Sequence, residues 1–275
     1  NFVDDIAIAP NNRTVVSAAD GGEVIIWDLN TAKVLHRIKK ISSPVNSSIA
    51  IHPNGKTFLV ANDGYVCEYD LLSGKLLTEE EQYHDIPINK MGYIKKGAEF
   101  YLSARDNSKL DTLWNFTQNK TVEKEIIKSS YWTTALYQSC TFSEDGLTRY
   151  DVVKNPEELR ISHLDEKTIK IPIVNYVPFE VEVLSKNNLL IACRKGDKIS
   201  FLIFNLIKLQ IDKVIDTESF YGEAFVEEFE GSFKMQIIPN QKNEFIYFTG
   251  LYNSKVYHVN IETGIVNLLI TNKSQ

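Results

Sequence analysis

Along this chain apolar residues come in alternation or in short solid runs, not at the three-to-four spacing of an amphipathic helix. Runs such as Val24 to Trp27, Leu189 to Ala192 and Phe245 to Phe248 are bounded by Gly, Asn, Asp and Pro, which punctuate turns. The pattern predicts short strands throughout, and the solid runs predict strands covered on both faces. Only the region after Tyr83 is expected to differ, as a loop or a single turn.

Two early segments align. IAIAPNNRTVVSAADGGEVIIWDLNTAKVLHRI runs from Ile6 to Ile38, and IAIHPNGKTFLVANDGYVCEYDLLSGKLL from Ile49 to Leu77. Each reads as strand, polar turn, strand, Asp-Gly turn, strand, polar turn, strand. The aromatic of IIWDL, Trp27, recurs as Tyr69 and Trp114, then as Ser162, Phe204 and Tyr257, at steps of 42, 45, 48, 42 and 53 residues. The turn after the opening strand recurs at Pro10, His52, Lys95, Ser143, Ser185 and Pro239. The turn after the aromatic strand recurs at Asn30, Leu72, Thr117, Asp165, Ile207 and Glu262. Three series in phase give six repeats.

A four-stranded unit cannot bury both faces alone, so like units must stack, and radial stacking protects the sheet edges. The expected fold is all-β: a single β-propeller of four-stranded antiparallel blades spanning residues 1–275, with six blades. A seventh would need about 40 more residues, from missing sequence or from a partner. The run Ile265 to Ile270 is expected to be a final outer strand that completes the first blade and joins the termini.

These residues resemble the WD40 repeat family. SAADGGEVIIWDLNTAKVL, from Ser17 to Leu35, contains the pair Trp27-Asp28, and ANDGYVCEYDLLSGKLL places Tyr69-Asp70 in the same role. The chain departs from the family in lacking any Gly-His dipeptide and in keeping the WD pair once. The resemblance therefore implies that the family's hydrogen-bonded tetrad is missing and that packing carries more of the stability. It also implies a rigid platform for protein partners within a larger assembly.

Composition narrows the function. Hydrophobic residues make up 43% of 275 and the net charge is −6, which excludes a disordered chain and argues against a nucleic-acid surface over the whole domain. No run approaches the ~20 apolar residues of a membrane span. Cys67, Cys140 and Cys193 are isolated within apolar runs and read as small buried hydrophobes, which fits a reducing, intracellular compartment, cytoplasm or nucleus. The first residue is Asn1, so upstream residues are expected. The sequons at Asn12, Asn46, Asn115, Asn119 and Asn272 are expected to arise by chance in an Asn-rich chain.

No catalytic constellation emerges. His36, His52, His84, His163 and His258 are scattered without metal-ligand spacing, and there is no nucleophile elbow or phosphate loop. The turn residues Asp20, Asp63 and Asp106 suit backbone capping better than acid chemistry. The expected protein is not an enzyme and has no cofactor or metal.

Binding candidates are clearer. The largest insertion, Asp212 to Ser232, sets seven acidic residues against one lysine and interleaves four aromatics. It supplies the candidate partner-binding set Asp216, Glu218, Phe220, Tyr221, Glu223, Phe225, Glu227, Glu228 and Phe229. The plain alternative is a long outer strand followed by the next opening strand. Aromatics without local burial anchor interfaces, and a concentrated negative field steers a cationic partner. Lesser candidates are the acidic stretch Thr78 to Ile88 and the basic pairs Lys39-Lys40 and Lys95-Lys96.

The expected function is a non-catalytic protein–protein interaction scaffold, a subunit or module of a larger complex. Two alternatives remain open. One is a secreted or periplasmic propeller binding a small molecule or cofactor in its central channel; the WD pair, the unpaired cysteines and the lack of metal ligands argue against it. The other is a module of a ribosome-assembly or other nucleic-acid-associated complex, contacting its target through local lysines.

Overall fold

A computed structural model describes residues 3–19, 22–39, 48–62, 65–78, 81–82, 88–104, 112–115, 139–163, 168–217, 233–239, 241, 243–249 and 255–271. The chain divides into two compact units, Asn1–Thr133 and Thr134–Gln275. Each unit holds three antiparallel meanders, in which every strand pairs with its neighbour in sequence.

In the first unit, sheet 1 comprises β1 (Val3–Ile8), β2 (Thr14–Ala19), β3 (Glu23–Asp28) and β4 (Lys33–Lys39). Sheet 2 comprises β5 (Ser48–Ile51), β6 (Thr57–Asn62), β7 (Tyr65–Asp70) and β8 (Glu81–Gln82). Sheet 3 has β9 (Ile88–Ile94), β10 (Glu99–Ala104) and β11 (Thr112–Asn115). Facing side chains of neighbouring sheets share cores: Val16, Val24 and Ile26 pack with Phe58, Val60 and Tyr69, and Leu59 and Val66 pack with Met91, Phe100 and Leu102. Sheet 2 is thus apolar on both faces.

In the second unit, sheet 4 comprises β12 (Ser139–Phe142), β13 (Thr148–Lys154), β14 (Glu157–His163) and β15 (Ile169–Pro172). Sheet 5 comprises β16 (Val177–Ser185), β17 (Asn188–Lys195), β18 (Lys198–Asn205) and β19 (Gln210–Asp216). Sheet 6 comprises β20 (Phe233–Ile237), β21 (Glu244–Thr249), β22 (Lys255–Asn260) and β23 (Val266–Thr271). Tyr150, Val152 and Leu159 meet Val181, Leu189 and Phe204; Leu190 and Phe201 meet Phe233, Phe245 and Tyr247. The solid run Leu189–Ala192 is fully buried because alternate residues face different neighbouring sheets.

Among the described residues five sheets have four strands, so five complete blades stand where six, or seven, were expected. Sheet 3 has three strands among the described residues, and the chain that follows Asn115, 116–138, lies outside them. The expectation that the last strand completes the first blade is corrected. The run from Val266 to Thr271 pairs with β22 in its own sheet, and sheet 1 already fills its four places with β1 to β4. The sixth aromatic landmark also moves. Trp27, Tyr69, Trp114, Ser162 and Phe204 each sit one residue before their strand's end, opposite the second residue of the preceding strand; Val259, not Tyr257, holds that place in sheet 6.

In sheets 1, 2, 5 and 6 the turn after the third strand follows one rule. Asp28, Asp70, Asn205 and Asn260 close their strands, and a side-chain oxygen of each accepts the amide three residues on, at Thr31, Ser73, Lys208 and Thr263. The next residue adopts positive φ: Ala32, Gly74, Leu209 and Gly264. An Asx-capped turn with a left-handed closing residue is what Asp or Asn at this position favours. Within sheet 1 the Trp27 indole N–H donates to Ser17 Oγ at 2.9 Å.

Two outer strands reach over to the next sheet. A bulge in β4 aims His36, whose Nε2 donates to the Leu72 carbonyl at 2.8 Å. The corresponding bulge in β19 aims Lys213, whose Nζ donates to the carbonyls of Ile261 and Glu262 at 2.6 and 2.7 Å. Bulges re-aim side chains in this way. The inner strands are tied as well, by Asp5 accepting the Ile49 amide at 2.8 Å and by Ser139 donating to Glu180.

The fourth repeat is irregular for a visible reason. Ser162 replaces the aromatic, and opposite it stands Arg149, where the other sheets have Val15, Phe58, Phe100, Leu189 and Phe245. Arg149 is buried, lies 6.0 Å over the Phe142 ring and pairs with Asp151 at 2.7 Å.

Candidate functional site

In the four-stranded meanders antiparallel order puts the end of the first strand and the end of the third at one end of the sheet, and the ends of the second and fourth at the other. The two acidic stretches singled out from sequence are both connections between sheets, β19 to β20 and sheet 2 to β9.

Of the nine candidate partner-binding residues, only Asp216 is described. It closes β19 and accepts the hydroxyl of the fully buried Ser200 at 2.6 Å, so one of its oxygens serves the fold. Glu218, Phe220, Tyr221, Glu223, Phe225, Glu227, Glu228 and Phe229 lie outside the described residues. The insertion is shorter than its sequence limits suggested. Asp212 to Asp216 belong to β19, while 218–232 lie outside the described residues, and Asp212 accepts from Asn205, Lys208 and Gln210.

The second acidic stretch contributes Glu81–Gln82 to sheet 2 as β8, and Thr78 Oγ1 accepts the Glu68 amide at 3.0 Å. Residues 79–80 and 83–87, with the turn expected after Tyr83, lie outside the described residues, as do Asp20, Asp63 and Asp106. Among the basic candidates Lys39 ends β4 and Lys95 opens a 3-10 turn over Lys95–Gly97, in which Lys96 has positive φ; Lys40 is not described.

Three of the histidines have structural partners. Besides His36, His52 accepts the Asn54 amide on Nδ1 at 3.0 Å and packs edge-on against Tyr93 at 4.8 Å. His258 pairs with Glu244 at 3.0 Å. Among the described residues no three His, Cys, Asp or Glu side chains gather as a metal site. Cys67, Cys140 and Cys193 are buried and unbridged, and burial pushes the Cys193 thiol up, away from the reactive thiolate.

What the surface does offer is apolar. Leu72 and Ile207 occupy equivalent places, two residues after Asp70 and Asn205, and are 86% and 73% exposed at their turn tips. Sequence reasoning missed them, although an apolar residue in the second place of a polar turn is a legible signal. At the opposite end of sheet 5, exposed Lys195 lies 5.0 Å over the Tyr176 ring, beside Arg194 and Lys198.

No family model and no curated protein matches this sequence. Solved structures do. "Structure of U3-55K" aligns over 98% of this chain and 81% of its own, with TM-score 0.67 and 14% identity. "Crystal structure of RRP9 WD40 repeats" gives 98%, 80%, 0.67 and 14%. The Myceliophteria thermophila Cps50 (Swd1) β-propeller domain gives 100%, 87%, 0.64 and 14%. The fold is therefore that of the WD40-repeat β-propeller, built of four-stranded antiparallel blades. At this identity the likeness shows fold alone.

Proposed function

We propose that this chain is a non-catalytic protein–protein interaction scaffold, a subunit or module of a larger intracellular complex. The observation that carries the reading is the division of labour in the side chains: strand faces are spent on shared cores, while Leu72 and Ile207 stand exposed on turn tips. Exposed apolar residues at the rim of a rigid framework suit partner recognition. The likeness to a WD40 propeller over 98% of the chain supports reading residues 1–275 as one such domain. We read sheet 3 as its remaining blade, which makes six.

The second contact is the acidic connection. Asp216, Glu218, Phe220, Tyr221, Glu223, Phe225, Glu227, Glu228 and Phe229 would dock a basic partner, the acids steering it and the aromatics anchoring it. Buried, unbridged cysteines support a reducing compartment, cytoplasm or nucleus. No helix among the described residues is long and apolar enough to cross a membrane.

Affinity capture from native extract tests the reading when wild type is compared with a Glu223→Lys, Glu227→Lys, Glu228→Lys variant. The expected result is a stoichiometric partner set that the variant reduces. Recovery of the chain alone would count against a scaffold.

A second reading, a module of a nucleic-acid-associated complex, is favoured by the Arg194, Lys195, Lys198 hairpin with its cation–π pair. Salt-dependent RNA binding lost on Lys195→Glu would support it.

A further inference from the structure

The outer edge of a sheet exposes unpaired N–H and C=O groups, and proteins guard such edges with charge, proline, bulges or shortness. The outer strands here are guarded unequally. In sheet 1, β4 carries Lys33, Arg37 and Lys39, and in sheet 5, β19 carries Asp212, Lys213 and Asp216. In sheet 4, β15 is four residues long with Lys170 and Pro172, and in sheet 2, β8 is two residues long. In sheet 6, β23 reads VNLLIT: six residues with no charge and no proline. Among the described residues its one guard is a bulge opposite Val256 and Tyr257, which leaves Leu269 without a partner on β22. Leu268 and Leu269 are consequently both turned outward, 48% and 56% exposed, and Ile265 just before them is 54% exposed.

We propose that β23 is a self-association edge, through which two copies of this chain pair antiparallel across a two-fold axis. The occupant is a second copy because an uncharged apolar strand is complementary to itself. Antiparallel pairing sets VNLLIT against VNLLIT with no like charges opposed and brings Leu268 and Leu269 of both copies together, as an isologous contact requires. Self-pairing of β4, by contrast, would oppose a strand whose charges are all positive.

A six-residue edge buries well under the ~1,200 Å² of stable interfaces, so the dimer is weak and forms at about 100 µM protein and above. Sedimentation equilibrium of the 31.4 kDa chain across that range tests this, with Leu269→Lys and, as a second variant at an exposed polar position, Asn267→Lys. The expected result is a monomer–dimer equilibrium that each lysine weakens at least tenfold, while the thermal midpoint stays where wild type has it. Wild type that remains monomeric to about 500 µM would overturn the proposal. So would a dimer, or a larger oligomer, that survives both substitutions.

Discussion

The Lys213 ammonium donates to the Glu262 carbonyl at 2.7 Å, which ties the outer strand of sheet 5 to the turn of sheet 6. His36 and Leu72 stand in the same relation between sheets 1 and 2, and Lys213 and His36 fall nine residues after Phe204 and Trp27 respectively. The repeat thus conserves a position for a long donor while changing its chemistry. Lys213→Met keeps the stem and removes the donor; the expected loss is about 1–2 kcal/mol, since a charged donor to carbonyls is lost and those carbonyls regain water. Urea unfolding measures it, and an unchanged midpoint would mean that the contact is idle.

The left-handed turn position predicts opposite signs for opposite substitutions. Gly74→Ala and Gly264→Ala force an L side chain into φ of +67° and +73°, at about 1 kcal/mol each. Gly74→Ala should cost more, because its Cβ would meet His36 Cβ at 3.1 Å, whereas nothing lies within 4 Å at Gly264. Leu209→Gly, at φ 53° and partly exposed, is expected to leave stability level or raise it by up to about 1 kcal/mol. Thermal midpoints of the three variants check the ranking.

Arg149 and Asp151 form a buried pair, with side chains 6% and 7% exposed. Removing one partner strands the other's charge, so Arg149→Ala or Asp151→Ala is expected to cost about 3–5 kcal/mol. The double change Arg149→Leu, Asp151→Val should cost distinctly less than either alone. A double loss equal to the sum of the two single losses would show that the charges are not coupled.

Acid should weaken the fold. The Arg13 guanidinium holds the Asp28 carboxyl below its ordinary 3.8, and the Ser73 and Ser143 hydroxyls do the same for Asp70 and Asp145. The Gln210 amide, followed by Asn205 and Lys208, lowers Asp212. Each folded value lies below the unfolded one, so each contribution is complete above the unfolded value and lost as pH falls through the folded value. Urea midpoints are expected to hold from pH 7 to about 5 and to fall below about 4. Asp28→Asn keeps the acceptor for Thr31 but not the charge beside Arg13, and its acid limb should be shallower.

Much of this was legible in the sequence, because turns recur where the backbone demands them. The polar turns read at Asn30 and Leu72 do follow the aromatic strands, and Asp28 and Asp70 cap them. The sixth landmark slipped by two because Tyr257 and Val259 share a strand face, and the aromatic drew the eye. Ala32 and Leu209 carry positive φ without the Gly or Asn that would announce it. The roles of His36 and Lys213 depend on bulges, which leave no mark on hydrophobic alternation. Asp216 was read as part of a docking surface, yet it also holds Ser200.

The account rests on the exposed turn tips and the acidic connection being recognition surfaces, and native size tests that most directly. Tagged chain in undiluted extract, followed by sedimentation velocity, is predicted to migrate in an assembly well beyond the 31.4 kDa monomer or its dimer. Leu72→Asp together with Glu227→Lys should shift it toward those masses without lowering its thermal midpoint. Wild type that sediments in extract only as free monomer or dimer would contradict the account.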